Sequence, residues 1–312
     1  MSTKSNNTGR ALEYAIALTL KKHFDSNKNN YFLTEKTIMD NKRDKSYFEA
    51  LLETKQEDFL LASSKFVDWI QNEGWFNDAD KITLDRLPDS EGRHSNVTDI
   101  ELKIERGENI EQKNISVKHN HNALKHPRLP RLPGQCGILD EGVGEEWQKE
   151  HERIWKEFIS ESKILSEKAT LFRELKVIDP DYINKKLYKP LAEAVSIFLN
   201  KNSNNPKNSK IFFNFLTNEL DFYTIKNEND KIVIKKFIDI PSPSSFTIEY
   251  PYNKILSTLK IKFDNSWELT LRLHTASSRM YTPLGNINTS VKFDVLCENL
   301  DEVIEIEEIS KS

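Results

Sequence analysis

Asp99 and Lys118 are the residues whose types and spacing suggest chemistry. They fall in two alternating stretches, 97–104 and 113–118, joined by ERGEN. Strand alternation puts Asp99, Glu101 and Lys103 on one face, and Ser116 and Lys118 on one face of the next strand. If the strands pair as a hairpin, Asp99 and Lys118 meet at one end. A carboxylate there can hold Mg²⁺, which polarises a phosphate oxygen and lowers the pKa of a bound water. A lysine beside it can orient that water or stabilise charge developing in the transition state. This is the equipment of a phosphodiester nuclease, whose common form is Pro-Asp, a variable gap, then Asp/Glu-x-Lys. Two pairings fit. One joins Asp99 to Ser116-Val117-Lys118, with serine in place of the second acid. The other joins Pro88-Asp89 to Glu101-Leu102-Lys103. The letters favour the second. The setting favours the first, because Lys118 leads into HNHNALKHPR.

From Lys113 to Arg131 there are five Lys/Arg and no acid. His119, His121 and His126 can act as neutral donors or gain charge. Asn120 and Asn122 can bond phosphates or base edges. A solvated basic loop is the plain alternative. Zinc is another, but His119 and His121 make only half a site and no nearby Cys completes it.

The 312 residues suffice for one large domain or two smaller ones, with 37% hydrophobic and 30% charged residues, as in an ordinary folded protein. The formal charge of -4 does not by itself suggest a nucleic-acid binder. A cleft can nevertheless focus a field that the net charge hides. Cys136 and Cys297 have neither metal-site spacing nor a disulfide framework around them. The N-terminus lacks the apolar core of a signal peptide, and no apolar run is long enough to span a bilayer. A cytoplasmic location is expected.

The positioning elements follow from periodicity. RALEYAIALTLKKHF reads as a helix near 10–24, with Thr8 as its cap and Glu13 among apolar neighbours. Residues 47–76 read as one or two helices ending at Gly74, and 78–96 as a polar connection. Gly107 suits the turn between the two strands. Helix returns at about 145–172, where the Trp residues read as core. Pro190 should begin or bend the second part of a helix over 181–200. IFFNFLTNELDFYTI reads as a short helix running into a turn. From Lys231 the pattern becomes strands, and in WELTLRLH the apolar face is Trp267, Leu269, Leu271 and Leu273. Together these predict a mixed α/β body around a central sheet.

ISVKHNHNALKHPRLP resembles the signature of the HaeIII-type restriction endonucleases, within the PD-(D/E)xK nuclease superfamily. GRALEYA is similar to that family's first helix. LTLRLHTASSRM and SVKFDVL resemble its C-terminal strands. The resemblance implies a restriction-endonuclease-like α/β core over 1–230, its mixed central sheet flanked by helices and carrying helical insertions. It implies a strand-rich DNA-recognition region over 231–312. The implied activity is Mg²⁺-dependent cleavage of double-stranded DNA at GGCC, between the central G and C. Carried over, Asp99 is the metal-binding aspartate and Lys118 the catalytic lysine. Ser116 stands where many relatives have an acid, so Glu13 and Glu101 are the candidates for the further metal ligand.

DNA contacts are expected from His119, Asn120, His121, Lys125 and Arg128. The C-terminal region should add Arg272, His274, Ser277, Arg279 and Lys292, since guanine O6 and N7 call for such donors. A companion DNA methyltransferase is implied, and the enzyme is a monomer or a homodimer. Another nuclease of the same superfamily with a different specificity and a non-catalytic DNA-binding protein are the alternatives.

Overall fold

Leu12, Ala15, Ile16 and Leu20 recur at helical spacing and are buried along α1 (Ser2–Asn27). The computed structural model describes residues 2–27, 30–87, 97–119, 122–280 and 290–312. The chain forms two compact units. The first is Met1–Asn122, Glu219–Ile240 and Ile304–Ser312; the second is Ala123–Asn218 and Pro241–Val303. Residue 230 falls inside the first unit, in the turn after β5.

The first unit is a seven-stranded mixed sheet in the order β1-β2-β3-β4-β5-β6-β11. Its strands are β1 (Tyr31–Leu33), β2 (Lys81–Arg86), β3 (Ile100–Arg106), β4 (Asn109–His119), β5 (Phe222–Asn227), β6 (Lys231–Phe237) and β11 (Glu305–Ser310). The β1–β2 and β4–β5 pairs are parallel, and the others are antiparallel. Strand alternation sends Ile100, Leu102, Ile104, Ile115, Ile225 and Ile234 into one apolar cluster. Residues of α1, α2 (Glu35–Glu49) and α3 (Glu53–Asn72) complete that cluster. The opposite face carries Glu101, Lys103, Gln112, Asn114, Ser116 and Lys118, in the β3–β4 register Ile100↔Ile115. Gly107 turns this hairpin with a φ of 58°, a conformation that suits a residue without a Cβ.

Three expectations are corrected. The helix α1 begins at Ser2, so Thr8 lies within it and is not its cap. Part of the "polar connection" is β2, whose Ile82 and Leu84 are buried between exposed-side charges. The stretch over 211–225 is the end of a helix and then a bend, as expected, but its last residues enter a strand: Phe222–Asn227 is the parallel partner of β4.

The second unit has a four-stranded antiparallel sheet in the order β10-β9-β8-β7. Its strands are β7 (Phe246–Glu249), β8 (Thr258–Phe263), β9 (Glu268–Thr275) and β10 (Val291–Cys297). Its helices are α4 (Leu132–Gln135), α5 (Glu141–Leu165), α6 (Phe172–Ile178), α7 (Lys189–Asn202), α8 (Pro206–Thr217) and α9 (Leu300–Val303). Pro190 stands in the first turn of α7, directly after a π-helical turn at Asn184–Tyr188, an irregularity that accommodates its missing N–H. Trp147, Trp155 and Phe158 are core residues of α5, and Trp267, Leu269, Leu271 and Leu273 form the buried face of β9. No described helix is long and apolar enough to cross a membrane.

Candidate active site

Asp99 sits just before β3, in the bend where the strand begins. Its backbone N–H still donates to the Ile115 carbonyl at 2.9 Å, so it is tied to β4. Its carboxylate Oδ2 accepts from the Val117 N–H at 2.7 Å and from the Ser116 hydroxyl at 3.1 Å. The side chain thus takes a ladder donor that a neighbouring strand's carbonyl would otherwise take. Ser116 is fully buried and serves as a hydrogen-bond donor to the acid, not as an acid itself. Lys118 lies two residues further along β4, on the face of Ser116. Across the ladder Lys118 is paired with Lys226, whose ammonium is 2.8 Å from Glu228.

Glu13 on α1 is a buried carboxylate. Burial and the charge of Asp99 push its pKa from 4.5 up to about 7, against the pull of Arg86 and Arg10. Asp99 and Glu13 are therefore close enough to repel. Arg86, fully buried at the end of β2, holds Glu13 Oε2 at 2.5 Å and Asp44 Oδ2 at 2.8 Å. Its Nη1 donates to Asn41 at 3.0 Å, and its backbone N–H to the Thr37 hydroxyl at 2.8 Å. Glu101 is engaged elsewhere. One oxygen is 3.0 Å from the Lys103 ammonium and the other accepts from Gln112 at 2.7 Å. Two carboxylates that repel each other suit a divalent cation, which would relieve the repulsion. Asp99 and Glu13 fit that requirement, Glu13 with one oxygen on Arg86; Glu101 is paired with Lys103 and Gln112. Pro88 and Asp89 lie outside the described residues.

His119 closes β4 on the opposite, apolar-cluster side, edge-on to Phe59 with ring centroids 5.4 Å apart. Burial and the Lys55 charge lower its pKa. Asn120 and His121 lie outside the described residues.

The basic segment continues in the second unit as an extended run beside β10. Val295 N–H donates to the Lys125 carbonyl at 3.1 Å, Phe293 N–H to the Pro127 carbonyl at 3.0 Å, and Arg128 bridges to Lys292. This run and strands β9 and β10 bring Arg128, Arg272, His274 and Lys292 together on one polar side. Burial lowers the pKa of Arg128, Lys292 and His274. Lys125 departs from the expectation of a DNA contact. It is buried, its ammonium donates to the Phe215 carbonyl at 2.8 Å over that residue's ring, and burial lowers its pKa to about 8. Ser277 and Arg279 are exposed in the segment after β9, where the Ser277 hydroxyl accepts from the Arg279 N–H at 3.1 Å.

The sequence reasoning missed Arg86, Asp44, Asn41 and Thr37. A signal existed: Thr37, Asn41 and Asp44 are spaced four and three apart, one polar face of a helix. It was masked because the segment was not read as helical.

Comparison with known proteins gives two findings. The family described as HaeIII restriction endonuclease matches residues 9–240. The type II restriction enzyme HaeIII of Haemophilus aegyptius is 24% identical over 336 aligned positions, covering 95% of this chain and 94% of that protein.

Proposed function

Because the chain belongs to the HaeIII restriction endonuclease family, we propose that it hydrolyses double-stranded DNA in a Mg²⁺-dependent reaction at GGCC, between the central G and C. The observation that carries the active-site assignment is the placement of Asp99. It is fixed by Ser116 and Val117 of β4 and acts electrostatically on Glu13. Asp99 and Glu13 hold the ion. When bound, Mg²⁺ polarises the scissile phosphate and acidifies a water. Ser116 orients the Asp99 carboxylate, and Arg86 anchors one oxygen of Glu13. Lys118 supplies a positive charge to the attacking water or to the phosphate oxygens as negative charge gathers there. Asn120, His121 and Arg128 contact the phosphodiester backbone. Ser277, Arg279 and Lys292 contribute to the reading of bases, and Arg272 meets the phosphodiester backbone. The protein acts in the cytoplasm beside a methyltransferase that protects the host's own GGCC sites. A palindromic target suits a two-fold dimer, or a monomer that cuts the strands in turn.

The test is plasmid DNA incubated with and without Mg²⁺, followed by sequencing of the fragment ends. Ends that all fall inside GGCC, only with the metal, support the proposal. Cleavage at another fixed sequence keeps the nuclease and removes GGCC. Metal-independent binding without any cleavage removes the nuclease.

A further inference from the structure

The second unit holds a donor set that phosphodiester cleavage does not use. His126 Nδ1 lies 2.7 Å and His274 Nε2 2.8 Å from the same oxygen, Oδ1 of Asp294. The candidate ligand atoms of these three residues lie within 4.8 Å of one another. They come from three adjacent stretches whose backbones are locked together. Hydrogen bonds from Phe293 and Val295 to the Pro127 and Lys125 carbonyls straddle His126. Asp294 pairs with Arg272 and Lys292 with His274 across β10 and β9. Arg272 Nη2 holds the other carboxylate oxygen, Oδ2, at 3.1 Å. That is the outer contact that commonly orients a metal-ligating carboxylate.

We propose that His126, His274 and Asp294 bind one transition-metal dication of the Zn²⁺ class, which pins the basic 123–131 run to β9 and β10. Two imidazoles and one carboxylate are a nitrogen-rich set, suited to Zn²⁺, Co²⁺ or Ni²⁺ and not to the all-oxygen preference of Mg²⁺ or Ca²⁺. The flanking cations point the same way. With Arg272 on Asp294, and Lys292 close enough for its charge to be felt there, affinity has to come from nitrogen–metal bonds more than from net negative charge. Three protein ligands leave a fourth position for water. Binding exchanges the hydrogen bonds of the two rings to Asp294 for bonds to the metal, so each neutral ring carries its one proton on the other nitrogen, His126 on Nε2 and His274 on Nδ1, and any second proton of a charged ring leaves to solvent. This site is separate from the Asp99–Glu13 pair and does not depend on the nuclease assignment.

The experiment uses the full chain, stripped with chelator and titrated with Co²⁺, followed by visible absorption and by competition with Zn²⁺. The expected result is one equivalent of Co²⁺ with ligand-field bands. The bands should vanish in His274→Ala and His126→Gln, persist in Asp99→Ala, and be displaced by Zn²⁺. Zn²⁺ should also raise the melting temperature of the wild type and of Asp99→Ala, but not of the two histidine variants. His126 carries an exposed ring, so His126→Gln keeps the test open if His274→Ala fails to fold. No bands in the wild type, or bands lost in Asp99→Ala and retained in His126→Gln, would overturn the proposal.

Discussion

At Asp99 the backbone N–H already reaches the Ile115 carbonyl, and the carboxylate takes the next donor, the Val117 N–H. A short side chain bound twice to β4 has little freedom, which is what a metal ligand needs. Asp99→Ala should abolish cleavage while leaving binding in Ca²⁺ largely intact, as read by plasmid digestion beside a gel-shift titration. Lys118→Ala should slow single-turnover cleavage about a thousandfold, ~4 kcal/mol of transition-state stabilisation. Glu13 gives a pH signature with a definite sign. Its folded pKa of about 7 exceeds its ordinary 4.5, so the folded protein holds this proton more tightly than the unfolded chain. Metal-free stability from this group is fully present below about 4.5 and is lost as pH rises through about 7. Metal binding needs the carboxylate, so it gains over the same window. The half-saturating Mg²⁺ concentration for cleavage should fall as pH rises from 6 towards 7 and level off above it. A flat profile in wild type would remove Glu13 from the metal site.

At the scale of elements, Arg86 ties β2 to α1 and α2 through Glu13, Asn41, Thr37 and Asp44. Truncating it leaves the buried Glu13 with Arg10, 3.9 Å away, as its remaining cation, while Asp44 keeps Arg43 at 2.6 Å. Arg86→Ala should cost ~3–5 kcal/mol in urea unfolding, and adding Glu13→Gln should recover part of that loss. The legibility of each element follows from what its residues face. The β3–β4 hairpin was readable because its apolar residues alternate against one helical layer and Gly107 marks the turn. Trp147, Trp155 and Pro190 announced α5 and α7 for equally local reasons. In β2 only Ile82 and Leu84 are apolar, so KITLDR resembles a solvated linker until Arg86 is seen to be buried. In β11 the edge position lets glutamates face Lys231 and Lys236, and EIEEIS resembles a charged tail. The candidate site was legible in Asp99, Ser116 and Lys118 because all three belong to one hairpin. The Arg86 anchor was not, since its partners lie on a helix with few apolar residues to mark it. Lys125 was misjudged because a basic run says nothing about which of its members turns inward.

For the whole molecule, a net charge of -4 sets no bar to DNA binding, since the cations gather locally. The exposed Arg279 and the carboxylate-bound Arg272 should respond differently to substitution. Arg279→Ala should cost about 1–3 kcal/mol on GGCC and narrow the gap to single-base variants. Arg272→Ala should weaken all duplexes alike and reduce the salt slope by about one. Binding in Ca²⁺ over a salt series measures both, and equal loss on every duplex for Arg279→Ala would reassign it to the backbone. The discontinuous make-up of the first unit also has a consequence for how the protein is born. Chains emerge from the ribosome from the N-terminus. The strand bearing Ser116 and Lys118 therefore waits, open on one side, until Phe222–Asn227 arrives, and the sheet gains β11 only after residue 304. A half-made chain already carries Asp99, Glu13 and Lys118 but not the parallel strand that flanks their sheet. Ribosome-stalled chains ending at residue 218 should therefore leave plasmid intact where full-length chains nick it.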